Sequence, residues 1–158
     1  MGSEADLVKP RFGRGCRCFA VVIDGGIAGY GWLSTGPEWI GELQLEIRPR
    51  AGEAYVWNCT TLEPHRRQGI FRSLLTGIST FARQDGLRRL WIGSVAIPAE
   101  KAVAPSGFRP ALRFRSLTLV GFHLMSVSDA DPALSRDARE VLRSRTRISI
   151  RTSRPRRH

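Results

Sequence analysis

Lysine, cysteine and long apolar runs are all scarce in this chain of 158 residues. Lys9 and Lys101 are the two lysines among 25 basic residues, and the other 23 are Arg. Such an excess follows from a GC-rich genome as readily as from chemistry, so it is given no functional meaning. The three cysteines, Cys16, Cys18 and Cys59, are too few for a four-thiolate zinc site or a disulfide framework. Their use suits a reducing compartment. The first twenty residues hold no apolar signal core, and the most apolar stretch, 117–127, falls short of the ~20 residues a membrane helix needs. A cytoplasmic protein with no metal and no membrane partner is expected. There is no G-x-x-x-x-G-K-[ST] and no G-x-G-x-x-G, which excludes a P-loop and a dinucleotide fingerprint. No internal repeat is present.

What is there suffices for one packed domain: 42% of the residues are hydrophobic and 8% aromatic. The charge is lopsided. Fourteen acids leave a net +11, and residues 136–158 hold nine Arg against Asp137 and Glu140, which is +7 of it. The expected organisation is a short lead (1–18), a domain (19–135) and an Arg-rich tail (136–158). The tail is expected to be dispensable, with a short edge strand over 146–151 as the alternative. At most it offers an electrostatic handle to a weak acidic partner.

Hydrophobic periodicity predicts a mixed α/β (α+β) fold with a mostly antiparallel sheet. Residues 1–15 carry no clear period. Two β-type runs, 18–23 and 27–34, flank Asp24-Gly25-Gly26 and read as a hairpin. Gly29 and Gly31 inside the second run predict a bulge or a close approach. Leu43, Leu45 and Ile47 alternate with polar residues, as in a half-buried strand. Residues 53–62 are aromatic and β-branched and read as a central strand. From Ile70 the period changes to three and four, which predicts an amphipathic helix ending at Gly86. A strand over 87–97, a short helix over 99–104, two β pieces over 112–124 and a helix over 133–145 complete the expectation.

The chemistry is concentrated in 61–75, T-L-E-P-H-R-R-Q-G-I-F-R-S-L-L. A strand ends, a loop with two Arg and a Gly follows, and a helix starts. The first N–H groups of a helix lack internal partners and, with the helix dipole, bind anions, phosphates above all. Gly69 lets the backbone come close to a ligand, and Arg66, Arg67 and Arg72 add charge. The segment resembles motif A of the GNAT superfamily of N-acyltransferases. Leu62-Glu63-Pro64 matches its V-x-P, and Arg66-x-x-Gly69 its Arg/Gln-x-x-Gly. Ser106-Gly107-Phe108 is similar to the Gly-Phe before that family's last hairpin, and the resemblance covers about 19–125.

The resemblance implies that Leu62, Arg66, Arg67, Gln68, Gly69, Ile70, Phe71 and Arg72 hold the pyrophosphate of coenzyme A, with acetyl-CoA or another acyl-CoA as co-substrate. It also implies direct attack of an amine acceptor, a small molecule or a protein. The chain departs from the pattern at Phe71, where the family has Gly or Ala. Ala96 or Ile97 replaces its loop Asn, and Val103 its thiolate-protonating Tyr. The 18 residues before the hairpin imply a short or missing N-terminal part, and a homodimer that completes the acceptor side.

Glu53 and Glu46 are the candidate general bases, Glu46 sharing with Glu42 the polar face of a strand expected beside the central one. Tyr55 stands about where some members carry a catalytic Glu, but a phenol with pKa ~10 is a weak base at neutral pH. Trp57 reads as core or pocket wall, and Asn58 as a hydrogen-bonding residue. Backbone N–H groups at the splayed end of the central strand would polarise the thioester carbonyl. Two other readings remain open. One is transfer from acyl carrier protein; the other is a degenerate domain that binds coenzyme A or nucleic acid without turnover.

Overall fold

The computed structural model describes residues 5–94, 102–119 and 122–144. The chain divides into two compact units. The first comprises Met1–Glu38 and Arg48–Phe108, the second Trp39–Ile47 and Arg109–His158.

The first unit opens with α1 (Ala5–Gly13), a helix the sequence pattern did not predict. Only Arg11 of its residues is buried, so it has no apolar stripe for a periodicity reading to find. Gly15, at φ 82°, closes its end. Strands β1 (Arg17–Ile23) and β2 (Gly26–Ser34) then form the expected hairpin. Asp24 at φ 50° and Gly25 at φ 78° give it the left-handed two-residue turn that matches strand twist.

Strand β5 (Glu53–Thr61) pairs antiparallel with β2 and parallel with β6 (Arg89–Ile92), giving the order β1-β2-β5-β6. The parallel pair requires a crossover, supplied by α2 (Ile70–Gln84). Helix α2 buries Ile70, Leu74, Leu75, Ile78 and Ala82, the stripe its period predicts, and Gly86 at φ 78° follows its end. Leu74, Leu75 and Ile78 form a core with Leu33, Ala54, Val56 and Val103. The expected strand over 87–97 is shorter where described, and residues 95–97 lie outside the described residues. So do 99–101 of the expected helix over 99–104, whose remainder leads into a 3-10 turn at Ala104–Ser106.

The glycines of β2 serve close approach. A Cβ at Gly29 would stand 2.9 Å from the Ile70 side chain and 2.9 Å from the Thr60 carbonyl oxygen. A Cβ at Gly31 would stand 2.7 Å from the Cys59 sulfur. At Gly29 the obstacle includes backbone, which cannot swing aside. Gly29→Ala is therefore expected to lower stability by about 1–3 kcal/mol, measured by chemical denaturation. A loss below about 0.5 kcal/mol, the size of an ordinary surface change, would disprove the close approach.

The second unit holds β4 (Leu45–Ile47) between β3 (Glu38–Ile40) and β9 (Leu142–Ser144), and a separate hairpin of β7 (Leu112–Leu119) and β8 (Phe122–Asp129). Its core gathers Leu45, Met125 and Val127. Two expectations need correction here. The alternation from Leu43 does not yield one strand, because Gly41–Leu43 forms a 3-10 turn and Gln44 takes φ 49°. Only Leu45–Ile47 remains extended, with three partners in β9. The helix expected over 133–145 is α3 (Pro132–Val141), capped by the Asp131 carboxylate accepting from the Ala133 N–H at 2.9 Å. The charged segment drawn from residue 136 thus begins inside α3, where Arg139 donates to Asp129 at 2.6 Å. Residues 145–158, including the edge strand considered over 146–151, lie outside the described residues.

Candidate active site

Strand β5 parts from β6 partway along. Their ladder runs from Glu53 opposite Arg89 to Val56 opposite Ile92, whereas β5 continues to Thr61. The cause lies in β5 itself. Asn58 takes φ 46°, and the register with β2 shifts between Tyr30 and Trp32. A residue in the left-handed region interrupts the pleat and bends the strand. Asn tolerates this conformation better than most residues. The backbone of Trp57–Thr61 therefore continues beyond the β6 ladder.

The bent strand leads into the loop that the sequence singles out. The Leu62 N–H donates to the Ala28 carbonyl at 2.9 Å, and Glu63–His65 makes a 3-10 turn whose Pro64 carbonyl accepts from the Gln68 side chain at 3.1 Å. Arg67 at φ 63° and Gly69 at φ 77° are both left-handed. Such alternation turns successive N–H groups toward one concavity, which binds anions. Gly69 is the N-cap of α2 and supplies no side-chain bond to the orphan amides. The Ser73 N–H is the first to close an α-helical bond, to the Gly69 carbonyl at 3.0 Å. The N–H groups of Ile70, Phe71 and Arg72 are left pointing off the helix end. Arg66, Arg67, Gln68, Gly69 and Arg72 are exposed around them.

Ile70 is buried, and Phe71 packs against the main core. The large residue at the second motif position thus turns inward and leaves the loop clear. Val103 is also buried in that core, so no phenol stands where the family carries its Tyr. Ala96 and Ile97 lie outside the described residues.

The catalytic candidates fare differently. Glu53 is buried and fully engaged. Its carboxylate accepts from the Trp91 indole at 2.9 Å, from Arg50 at 3.0 Å and from Arg89 at 3.4 Å. Burial pushes its pKa up, but the bonds from Trp91 and Arg50 outweigh that and hold it below the usual Glu value. A carboxylate so held is a weak base and serves as a clamp between β5 and β6. Glu46 lies on β4 in the second unit, in register with Arg143. The strands beside β5 are β2 and β6, so the expectation that Glu46 and Glu42 flank it is corrected.

Tyr55 lies within the ladder, opposite Trp91. It is buried on the β5 face shared by Glu53 and Trp57, and a Cβ at Gly93 would come within 3.0 Å of its hydroxyl. The phenol therefore lies against the backbone where β6 ends. Cys59 is no nucleophile: burial pushes its thiol up to about 12. Among the described residues no group of His, Cys, Asp and Glu could hold a metal ion, and no helix is long and apolar enough to cross a membrane.

Sequence reasoning missed Arg11 and Trp32. Trp32 and Trp57 project from β2 and β5 on the face away from α2, with ring centroids 6.2 Å apart. The Arg11 guanidinium lies 4.4 Å from the Trp57 ring and 5.1 Å from the Trp32 ring. An unremarkable arginine in a polar lead gave no signal for this.

The parting of β5 from β6 lies beside a strand–loop–helix turn whose outward amides suit an anion, an arrangement that defines a class of phosphate-binding α/β fold. The particular family is plain from comparison. The Acetyltransferase (GNAT) family profile matches residues 3–104, and the chain belongs to that family. Among solved structures, an acetyltransferase from Trypanosoma brucei has a TM-score of 0.53 at 17% identity, covering 73% of this chain and 77% of that one. A Bacillus subtilis acetyltransferase in complex with CoA has a TM-score of 0.52 at 15% identity, covering 77% and 78%. At such identities these two show the fold alone. No curated protein matches the chain.

Proposed function

We propose that this chain transfers an acetyl or other acyl group from coenzyme A to an amine by direct attack. The observation that carries the reading is the parting of β5 and β6 after Val56 and Ile92, next to the loop of Arg66–Arg72. The amides of residues 70–72 and the exposed Arg66, Arg67 and Arg72 hold the pyrophosphate. The bent stretch of β5 offers main-chain N–H groups to the thioester carbonyl as negative charge develops on its oxygen.

Holding both reactants in one slot supplies much of the acceleration. The neutral amine nitrogen attacks the carbonyl carbon, the carbon–sulfur bond breaks, and the sulfur leaves as thiolate. The amine loses its proton to solvent, since no described carboxylate of the first unit stands free at the cleft to take it. The Tyr55 phenol of β5, whose hydroxyl lies against the backbone at Gly93, then gives a proton to the departing sulfur, in place of the position that Val103 fills.

The test is thiol release from acetyl-CoA with a panel of amines. Amine-dependent release is expected, with Tyr55→Phe lowering kcat by about 10²-fold at unchanged coenzyme affinity. Binding of acetyl-CoA with no release for any amine would leave a non-catalytic coenzyme-binding domain instead.

A further inference from the structure

Trp32 and Trp57 form an aromatic slot, and the chain's own Arg11 fills it. Arg11 is 6% exposed and Trp32 0%. Buried cations are costly unless partnered, and aromatic faces are one way to hold them. The slot borders the site. Trp57 is the first residue of β5 beyond the β6 ladder and precedes the Asn58 bend. Leu62, which opens the pyrophosphate loop, packs on the same cluster with Val8 and Cys18.

Arg11 leaves part of the slot unsatisfied. The indole N–H groups of Trp32 and Trp57 are both buried with no acceptor among the described residues. Indole and guanidinium groups only donate, so Arg11 cannot supply the missing oxygen. An ammonium with a carbonyl oxygen on the neighbouring carbon presents both a cation to the rings and an acceptor to the N–H groups.

The helix that delivers Arg11 is weakly built. It has nine residues with Pro10 inside, shorter than the ~12–15 at which isolated helices begin to hold in water. Leu7 stays exposed, and the anchoring falls to Arg11, to Val8 and to the half-exposed Phe12, whose ring centroid lies 5.2 Å from that of Trp32.

We propose that the Trp32–Trp57 slot is the binding site for the acceptor's ammonium group, that its ligand is an α-amine beside a carbonyl oxygen, as in an amino acid amide or a peptide N-terminus, and that Arg11 on α1 is a competing internal occupant. This rests on the acyltransferase reading for the meaning of the site, and the test separates the two by measuring binding without acetyl-CoA.

The full-length chain is titrated with glycinamide and with ethylammonium, followed by tryptophan fluorescence. Glycinamide is expected to bind Arg11→Ala about tenfold more tightly than wild type, because the competing state is removed. Arg11→Lys, which keeps a cation, should stay near wild type. Glycinamide should also bind Arg11→Ala more tightly than ethylammonium does, and Trp57→Phe in that background should erase the difference by deleting an N–H. If Arg11→Ala responds no better than wild type, or does not prefer glycinamide, the proposal is overturned. Should Arg11→Ala not fold, trypsin cleavage after Arg11 in wild type gives the answer. Saturating glycinamide should speed that cleavage by displacing the guanidinium, and an unchanged rate overturns the proposal. A chain that binds glycinamide in this way yet transfers no acyl group would keep the slot and lose the activity; acyl transfer without such binding would do the reverse.

Discussion

Gly69→Asp is expected to weaken acetyl-CoA binding by at least about 100-fold, or about 2.7 kcal/mol, while leaving the fold nearly intact. Two features of position 69 separate these effects. A Cβ there would meet nothing within 4 Å, so the new side chain clashes with no part of the protein. The φ of 77° does strain any L-residue, by about 1–2 kcal/mol. The carboxylate then sits at the mouth of the loop, beside the outward amides of residues 70–72 and among Arg66, Arg67 and Arg72. It takes the donors the pyrophosphate would use and repels the ligand's own charge. Gly69→Ala isolates the backbone strain, and its affinity should fall by far less. Calorimetric titration of both variants decides. If the Asp variant binds acetyl-CoA as wild type does, the loop of residues 66–72 is not the pyrophosphate site.

The shape of that loop was legible because it is written in local backbone chemistry: a strand end, a left-handed Gly and a helix start lie within ten residues. The β1–β2 turn and the buried stripe of α2 were legible for the same reason, each being set by neighbours in sequence. The missed features depend on distant partners. Nothing near Glu53 announces that Arg89 and Trp91 will meet it from a strand more than thirty residues on, so a polar-looking strand carboxylate read as a candidate base. Asn58 carried a faint signal, since Asn is tolerated at positive φ, but a single Asn in a β-rich run does not mark a bend. Leu43 to Ile47 failed in the opposite direction. The alternation was real, but Gln44 turned left-handed and the available ladder in β9 was three residues long. Arg11 lay in a segment without period, and only the pairing of β2 with β5, which brings Trp32 opposite Trp57, creates a place for it.

The engagement of Glu53 leads to the second large effect. Glu53→Gln is expected to destabilise the protein by about 2–4 kcal/mol at pH 7. The amide keeps one oxygen for the Trp91 indole, but its NH₂ faces the guanidinium groups of Arg50 and Arg89. Those groups are 43% and 33% exposed, so water recovers part of their lost bonding and the cost stays below that of a fully buried pair. The pH dependence follows from the lowered pKa. The folded carboxylate titrates below its unfolded value, ordinarily about 4.3. Its stabilisation is therefore complete above that value and lost as pH falls through the lower, folded one. Wild type and Glu53→Gln should differ by the full amount from pH 6 to 8 and converge in acid, as followed by denaturation at each pH. Activity supplies the contrast. A clamp between β5 and β6 acts by keeping the slot in shape, so the surviving folded fraction of Glu53→Gln should show the pH profile of wild type. A variant as stable as wild type, but with kcat lost and the acidic limb of the pH profile moved, would make Glu53 the proton acceptor after all.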